Sequence, residues 1–299
     1  MEKQEKKRIL LAFDGSAYAL DAVRYVSRTL TPQNTEVVLF HVHHKIPEHY
    51  WDLKREASPA WRMNEVAAWE REQEKTVEES MDKATKILWR ADFPKASVEV
   101  RIHNKEKGIS RDIIKEAERG YSCVVAGRKG ISELKDLCLG SIANKLIEKL
   151  VSHPVLVVGK KPKPGALLLA LDGSENSMRT VDFVGGMLGR SDLEASLIHV
   201  IRGDNKVYTD AAKQAITPVF EEAKSRLAKY GFEPNQITTR IVTGAHSRAG
   251  AILEEAKMGG YGTIVVGRRG LSEVLDFFMG RVSNKIVHMA KEQAVWVVS

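Results

Sequence analysis

One stretch carries residue types whose spacing suits phosphate. Gly127-Arg-Lys-Gly130 and then Gly140-Ser141 lie between the apolar run Cys123–Ala126 and the helical pattern Ile142–Ile147. A strand therefore feeds a glycine-punctuated loop, and the loop opens a helix. The first N–H groups of a helix have no intrahelical partner, and the macrodipole puts positive potential there. Phosphate is the natural guest. Gly127, Gly130 and Gly140 let the backbone approach an anion, and the Ser141 hydroxyl can donate to it. Asp14 ends an earlier apolar strand. Its carboxylate can accept from sugar hydroxyls, help hold a metal carried by phosphates, or cap the next helix. Together these residues read as a nucleotide pocket. No Gly-Lys-Ser/Thr follows the glycines, so the loop is not a Walker loop. They follow the fourth strand and not the first, so it is not the dinucleotide fingerprint either.

The same features occur twice. Leu11-Ala-Phe-Asp14-Gly-Ser16 returns as Leu169-Ala-Leu-Asp172-Gly-Ser174, and Phe40-His-Val42 as Ile198-His-Val200. Gly127, Gly130 and Gly140 return as Gly267, Gly270 and Gly280. A repeat this long means tandem domains, expected at 1–160 and 161–299, joined at Lys160-Lys-Pro-Lys-Pro-Gly165. In each copy strands alternate with helices. In the first, strands are expected at 8–13, 36–43, 97–102, 122–126 and 154–158, with helices at 17–30, 61–89, 109–118 and 141–150. The second copy repeats this with a shorter helix near 209–229. Several strands are unbroken Val/Leu runs, which implies a mostly parallel α/β sheet covered on both faces. Ligands then sit beyond the carboxyl ends of the strands.

Composition narrows the function. The 299 residues are 43% hydrophobic and 28% charged, with net charge +7 and no basic block. Nucleic-acid binding gains no support from that distribution. No uncharged apolar run approaches the ~18 residues needed to span a bilayer. Met1–Arg8 does not read as a signal peptide. Two cysteines, Cys123 and Cys138, give no disulfide framework, and a cytoplasmic protein is expected.

The pattern G-x2-G-x9-G-Ser, with Asp14, His41-Val42 and Pro154-Val-Leu-Val-Val158, resembles the universal stress protein family in its tandem form. The resemblance implies two doubly wound five-stranded sheets of order 3-2-1-4-5. It implies adenine at Asp14 and the Val42 backbone, ribose near Ala126 and Gly127, and phosphates on Gly130, Gly140 and Ser141. It implies ATP, with Mg or Mn carried by the phosphates, in a stress-response or signalling protein. Fifth strands pair across a two-fold in the family, here Val155–Val158 with Val295–Val298 in one chain; a homodimer is a further expectation. The corresponding second-copy set is Asp172, Val200, Gly267, Gly270 and Gly280, with Arg281 where the first has Ser141. Impaired binding is expected there, although an adenosine-sized ligand still fits Asp172 and Val200.

Binding without substantial turnover is the expectation, because Arg128, Lys129 and Glu133 have no spacing that assigns a catalytic role. A slow ATPase or a nucleotidyl or phosphoryl transferase, and an interaction protein with a vestigial pocket, are the alternatives. No metal site is expected from His41, His43, His44 and His49. Trp51, Trp61 and Trp69 are expected to pack the long helix onto the sheet, and Cys138 carries no redox pattern.

Overall fold

Inner strands of this chain alternate between two buried faces, as unbroken apolar runs require. The computed structural model describes residues 6–43, 59–130, 139–270 and 279–299. The first half runs β1 (Lys7–Ala12), α1 (Ala17–Thr29), β2 (Thr35–His43), α2 (Pro59–Trp89), β3 (Val98–Asn104), α3 (Ile109–Ala117), β4 (Cys123–Gly127), α4 (Ser141–Lys149), β5 (Val155–Val158). The second runs β6 (Leu167–Ala170), α5 (Glu175–Leu188), β7 (Ala195–Arg202), α6 (Lys206–Lys229), β8 (Ile237–Ala245), α7 (Arg248–Met258), β9 (Thr263–Gly267), α8 (Arg281–Met289), β10 (Ala294–Val298).

Local sequence explains the helices. Ser16 and Ser174 cap α1 and α5, each Oγ accepting a backbone N–H at 3.1 Å, from Ala19 and Ser177. Ala19, Ala22, Val23 and Val26 of α1 are buried, and so are Met81, Ala84, Thr85 and Leu88 of α2. Both sets have the spacing of one helical face. α6 begins at Lys206, before the expected start at Thr209, because Asn205 Oδ1 accepts the Tyr208 N–H at 3.2 Å. Val207 and Tyr208 are exposed, so the apolar pattern does not reveal that first turn.

Among the described residues the strands form one ten-stranded sheet, β3-β2-β1-β4-β5-β10-β9-β6-β7-β8. Each half has the order 3-2-1-4-5 with parallel pairing, and β5 meets β10 antiparallel with Leu156 opposite Trp296. The fifth strands thus pair within one chain, as expected. One core lies under α1, α2, α5 and α6, the other under α3, α4, α7 and α8. Ile9 and Leu11 enter the first, Leu10 the second, as a period of two dictates.

Side chains also cross the seam. Trp296 is fully buried, and its Nε1 donates to the Tyr25 hydroxyl at 2.8 Å. Tyr25 Oη lies 2.7 Å from Thr263 Oγ1, and Phe183 meets the Trp296 ring edge-on at 5.6 Å. Trp296→Ala is expected to destabilise the chain by about 3–5 kcal/mol, because the surrounding strands cannot collapse into the space. Urea denaturation followed by circular dichroism measures this.

Candidate functional site

Strand ends build the crevice. Gly15 has φ +79°, which lets Asp14-Gly15-Ser16 turn sharply after β1. Asp14 Oδ1 accepts the Ser16 N–H at 3.0 Å. Since Ser16 caps α1, Asp14 is not that helix's cap. Its other oxygen faces the glycine loop: a Cβ on Gly130 would lie 2.6 Å from Asp14 Oδ2. Asp172 repeats the geometry, accepting the Ser174 N–H at 3.0 Å, and a Cβ on Gly270 would meet its Oδ2.

Position by position, the glycines serve close packing of the loop itself. A Cβ on Gly127 would lie 2.8 Å from the Tyr18 backbone, so β4 and the start of α1 touch only because that side chain is missing. One on Gly140 would lie 3.0 Å from the Arg128 carbonyl, which already accepts the Gly140 N–H at 2.8 Å. Gly140 then opens α4 with no side-chain cap, and Gly280 opens α8 in the same way. Among the described residues no side chain caps the first N–H groups of these two nine-residue helices, whereas Ser16 and Ser174 cap α1 and α5.

Val42 contributes backbone. Phe13 N–H donates to Phe40 C=O at 2.9 Å, so the polar groups of Phe40 face β1. Two residues on, those of Val42 face the same way, beyond the last β1–β2 pair, Ala12 with Phe40. Ala126 and Val42 are buried, and Asp14, Gly127 and Gly140 are partly open to solvent, while Ser141 is exposed. The Nδ1–H of His41 donates to Phe13 C=O at 2.8 Å, and His199 repeats this with Leu171 at 2.7 Å. This ties the crevice floor together and fixes the tautomer.

Three side chains among the described residues set the chemistry of the second crevice apart. Arg281 stands at the first position of α8. Arg248 Nε donates to Val200 C=O at 3.3 Å, engaging the backbone acceptor that matches Val42. Ser283 Oγ donates to Gly267 C=O at 2.6 Å, where the first half has Ala143. Only Arg281 is evident from the sequence, because the other two are defined by what their side chains touch in the folded chain.

Arg128 and Arg268, given no role by the sequence reading, are buried at the seam between the halves. His103, Glu106 and Asp112 place possible ligand atoms within 4.8 Å of one another. Asp112 already accepts backbone N–H groups from Glu106, Lys107 and Gly108, and Glu106 pairs with Lys115, so the group braces the start of α3. His44, His49, Trp51, Glu133 and Cys138 lie outside the described residues, as do the side chains of Trp61 and Trp69. No helix among the described residues is long and apolar enough to cross a membrane.

Two linked α/β units, each with a glycine loop between its fourth strand and an uncapped helix, define a tandem doubly wound protein. The chain belongs to the universal stress protein family, whose profile matches residues 6–159 and again 165–299. Universal stress protein YxiE of Bacillus subtilis (strain 168) is 30% identical over 168 residues, covering 50% of this chain and 97% of that one. The structure of a universal stress protein from Archaeoglobus fulgidus DSM 4304 matches with TM-score 0.65 at 19% identity, covering 97% of each chain. A functionally unknown protein from Pseudomonas aeruginosa PAO1 matches at 0.55 and 18%, covering 98% of this chain and 92% of that one. These structural likenesses show the fold alone.

Two outcomes follow for the floor of the crevice. Gly127→Ala is expected to cost about 1–3 kcal/mol through overpacking against the Tyr18 backbone, measured by thermal or urea denaturation. His41 has a pKa lowered chiefly by burial, so the folded state holds it neutral. The unfolded chain then binds more protons below about pH 6.5, and stability falls as pH drops from there towards the folded value. His41→Gln is expected to flatten that part of the stability–pH curve.

Proposed function

We propose that the first half binds ATP at the carboxyl ends of β1, β2 and β4, and that binding without substantial turnover is its signalling role. The observation that carries this is the start of α4: Gly140 supplies no cap, and Gly130 backs directly onto Asp14. An anion satisfies such a helix end. In this reading Gly130, Gly140 and Ser141 hold the phosphates, Ala126 and Gly127 lie against the ribose, and Asp14 and the Val42 backbone take the adenine. A divalent cation, Mg or Mn, arrives with the phosphates and supplies charge neutralisation there. The residues present fit such an anion, because α4 opens at Gly140 with no side-chain cap from that residue.

The second half is altered at both ends of its crevice. Arg248 occupies the Val200 carbonyl that adenine would use, and Arg281 replaces the small hydroxyl at the phosphate end. Asp172, Gly267, Gly270 and Gly280 keep the backbone shape, so the loss is of side-chain complementarity. One charge-assisted hydrogen bond to phosphate is worth roughly 1.5–3 kcal/mol, or about ten- to a hundredfold in affinity.

Titration calorimetry on the intact chain is expected to give one ATP per chain. The Arg248→Ala, Arg281→Ser double variant is expected to add a second. Gly140→Val is expected to remove the first with the fold intact, since its Cβ displaces the Arg128–Lys129 backbone. Two equal sites in the unmodified chain, or unchanged affinity in Gly140→Val, would overturn the reading. Phosphate release at about 1 per second or faster would replace binding by catalysis.

A further inference from the structure

We propose that Arg128 and Arg268 are positioning residues that couple the two crevices. Each rises from one glycine loop and holds the end of the helix that starts at the other crevice. The inference rests on the nucleotide reading of the first site.

The geometry is reciprocal. The Arg128 guanidinium donates to the carbonyls of Val287, His288 and Ala290, the last at 3.0 Å. Those carbonyls close α8, whose first turn lies at Gly280 and Arg281. Arg268 Nη2 donates to Leu150 C=O at 2.8 Å, which closes α4, the helix that starts at Gly140 and Ser141. A cation at a helix C-terminus satisfies open carbonyls and complements the dipole. Both arginines are nearly inaccessible, 2% and 3% exposed, so neither is a surface side chain resting there by chance.

The backbones of the same two residues brace their own crevices. Arg128 N–H donates to Val158 C=O at 2.8 Å, and its carbonyl takes the Gly140 N–H that precedes α4. Arg268 does the same with Val298 at 2.6 Å and Gly280 at 2.8 Å. One residue therefore fixes the beginning of its own phosphate helix and the end of the other. Each helix spans about 13 Å, a single hydrogen-bonded rod between the two sites. Ligand held at Gly140 and Ser141 thus tightens the hold of Arg128 on the last turn of α8. The two links are unequal. Arg128 reaches three helix-end carbonyls; Arg268 reaches one, with Ser299 Oγ at 3.1 Å, and its Nη1 has no hydrogen-bond partner among the described residues.

Hydrogen exchange read by mass spectrometry on the intact chain, with calorimetry alongside, tests this. With one equivalent of ATP and Mg, amides of residues 287–290 are expected to exchange at least about fivefold more slowly, the lower end of ordinary site-to-site coupling. Arg128→Lys keeps a charge but not the fork, and is expected to lose that remote protection while residues 127–130 remain protected by ATP. If Arg128→Lys does not fold, Arg128→Met serves the same comparison. ATP bound and residues 127–130 protected, with 287–290 unchanged in the unmodified chain, would overturn the coupling and leave the nucleotide reading standing. Remote protection that survives loss of the guanidinium would overturn the role of Arg128. No ATP bound would overturn the nucleotide reading, and the coupling with it.

Discussion

The antiparallel meeting of β5 and β10 is the constraint on which the rest of this structure depends. Each half, taken alone, would end its sheet in a bare strand of four or five buried apolar residues. Open apolar edges of that kind recruit other chains, and pairing the two with each other removes the hazard. The pairing also sets where everything else falls. Leu156 faces Trp296, and the matching residues on either side exchange places: Val155 with Val297, Val157 with Val295. A pseudo-two-fold relation through that pair brings each glycine loop beside the helix ends of the other half, so Arg128 and Arg268 can cross.

Around that seam, side chains break the symmetry that the backbones keep. Tyr25 has Phe183 as its counterpart, and the polar Trp296–Tyr25–Thr263 chain runs on one side only. Trp296 stands at the position of Leu156 in the other copy, and the two pair across the seam. A tandem gene product can place a large residue in one copy without changing the other. A homodimer of identical halves has no such freedom.

Among the described residues the two candidate sites offer backbone groups more than side chains. Backbone N–H groups at a helix start, backbone groups of Val42 and one carboxylate per half make up most of each candidate site. Such a site suits recognition of a ligand through shape and hydrogen bonding. Divergence between the halves then needs few substitutions: Arg281 for Ser141, Arg248 against Val200 and Ser283 for Ala143 alter one crevice while its glycines and turns persist.

Periodicity and punctuation were enough to locate nearly every element, because apolar spacing and glycine or proline breaks are local properties of the chain. The repeated Asp-Gly-Ser turns and glycine loops are likewise local signals that single out both candidate sites, and the apolar fifth strands pointed to their own pairing. The start of α6 escaped because its first turn is exposed and Asn205 defines it. Tertiary structure alone decided why each glycine is required, since Gly127 answers to Tyr18 and Gly130 to Asp14, residues more than a hundred positions away. It alone assigned Arg128 and Arg268, whose partners lie in the opposite half, and Arg248, which reaches back to Val200. A residue's sequence neighbourhood fixes its backbone; what its side chain touches across the fold is settled only when distant elements pack.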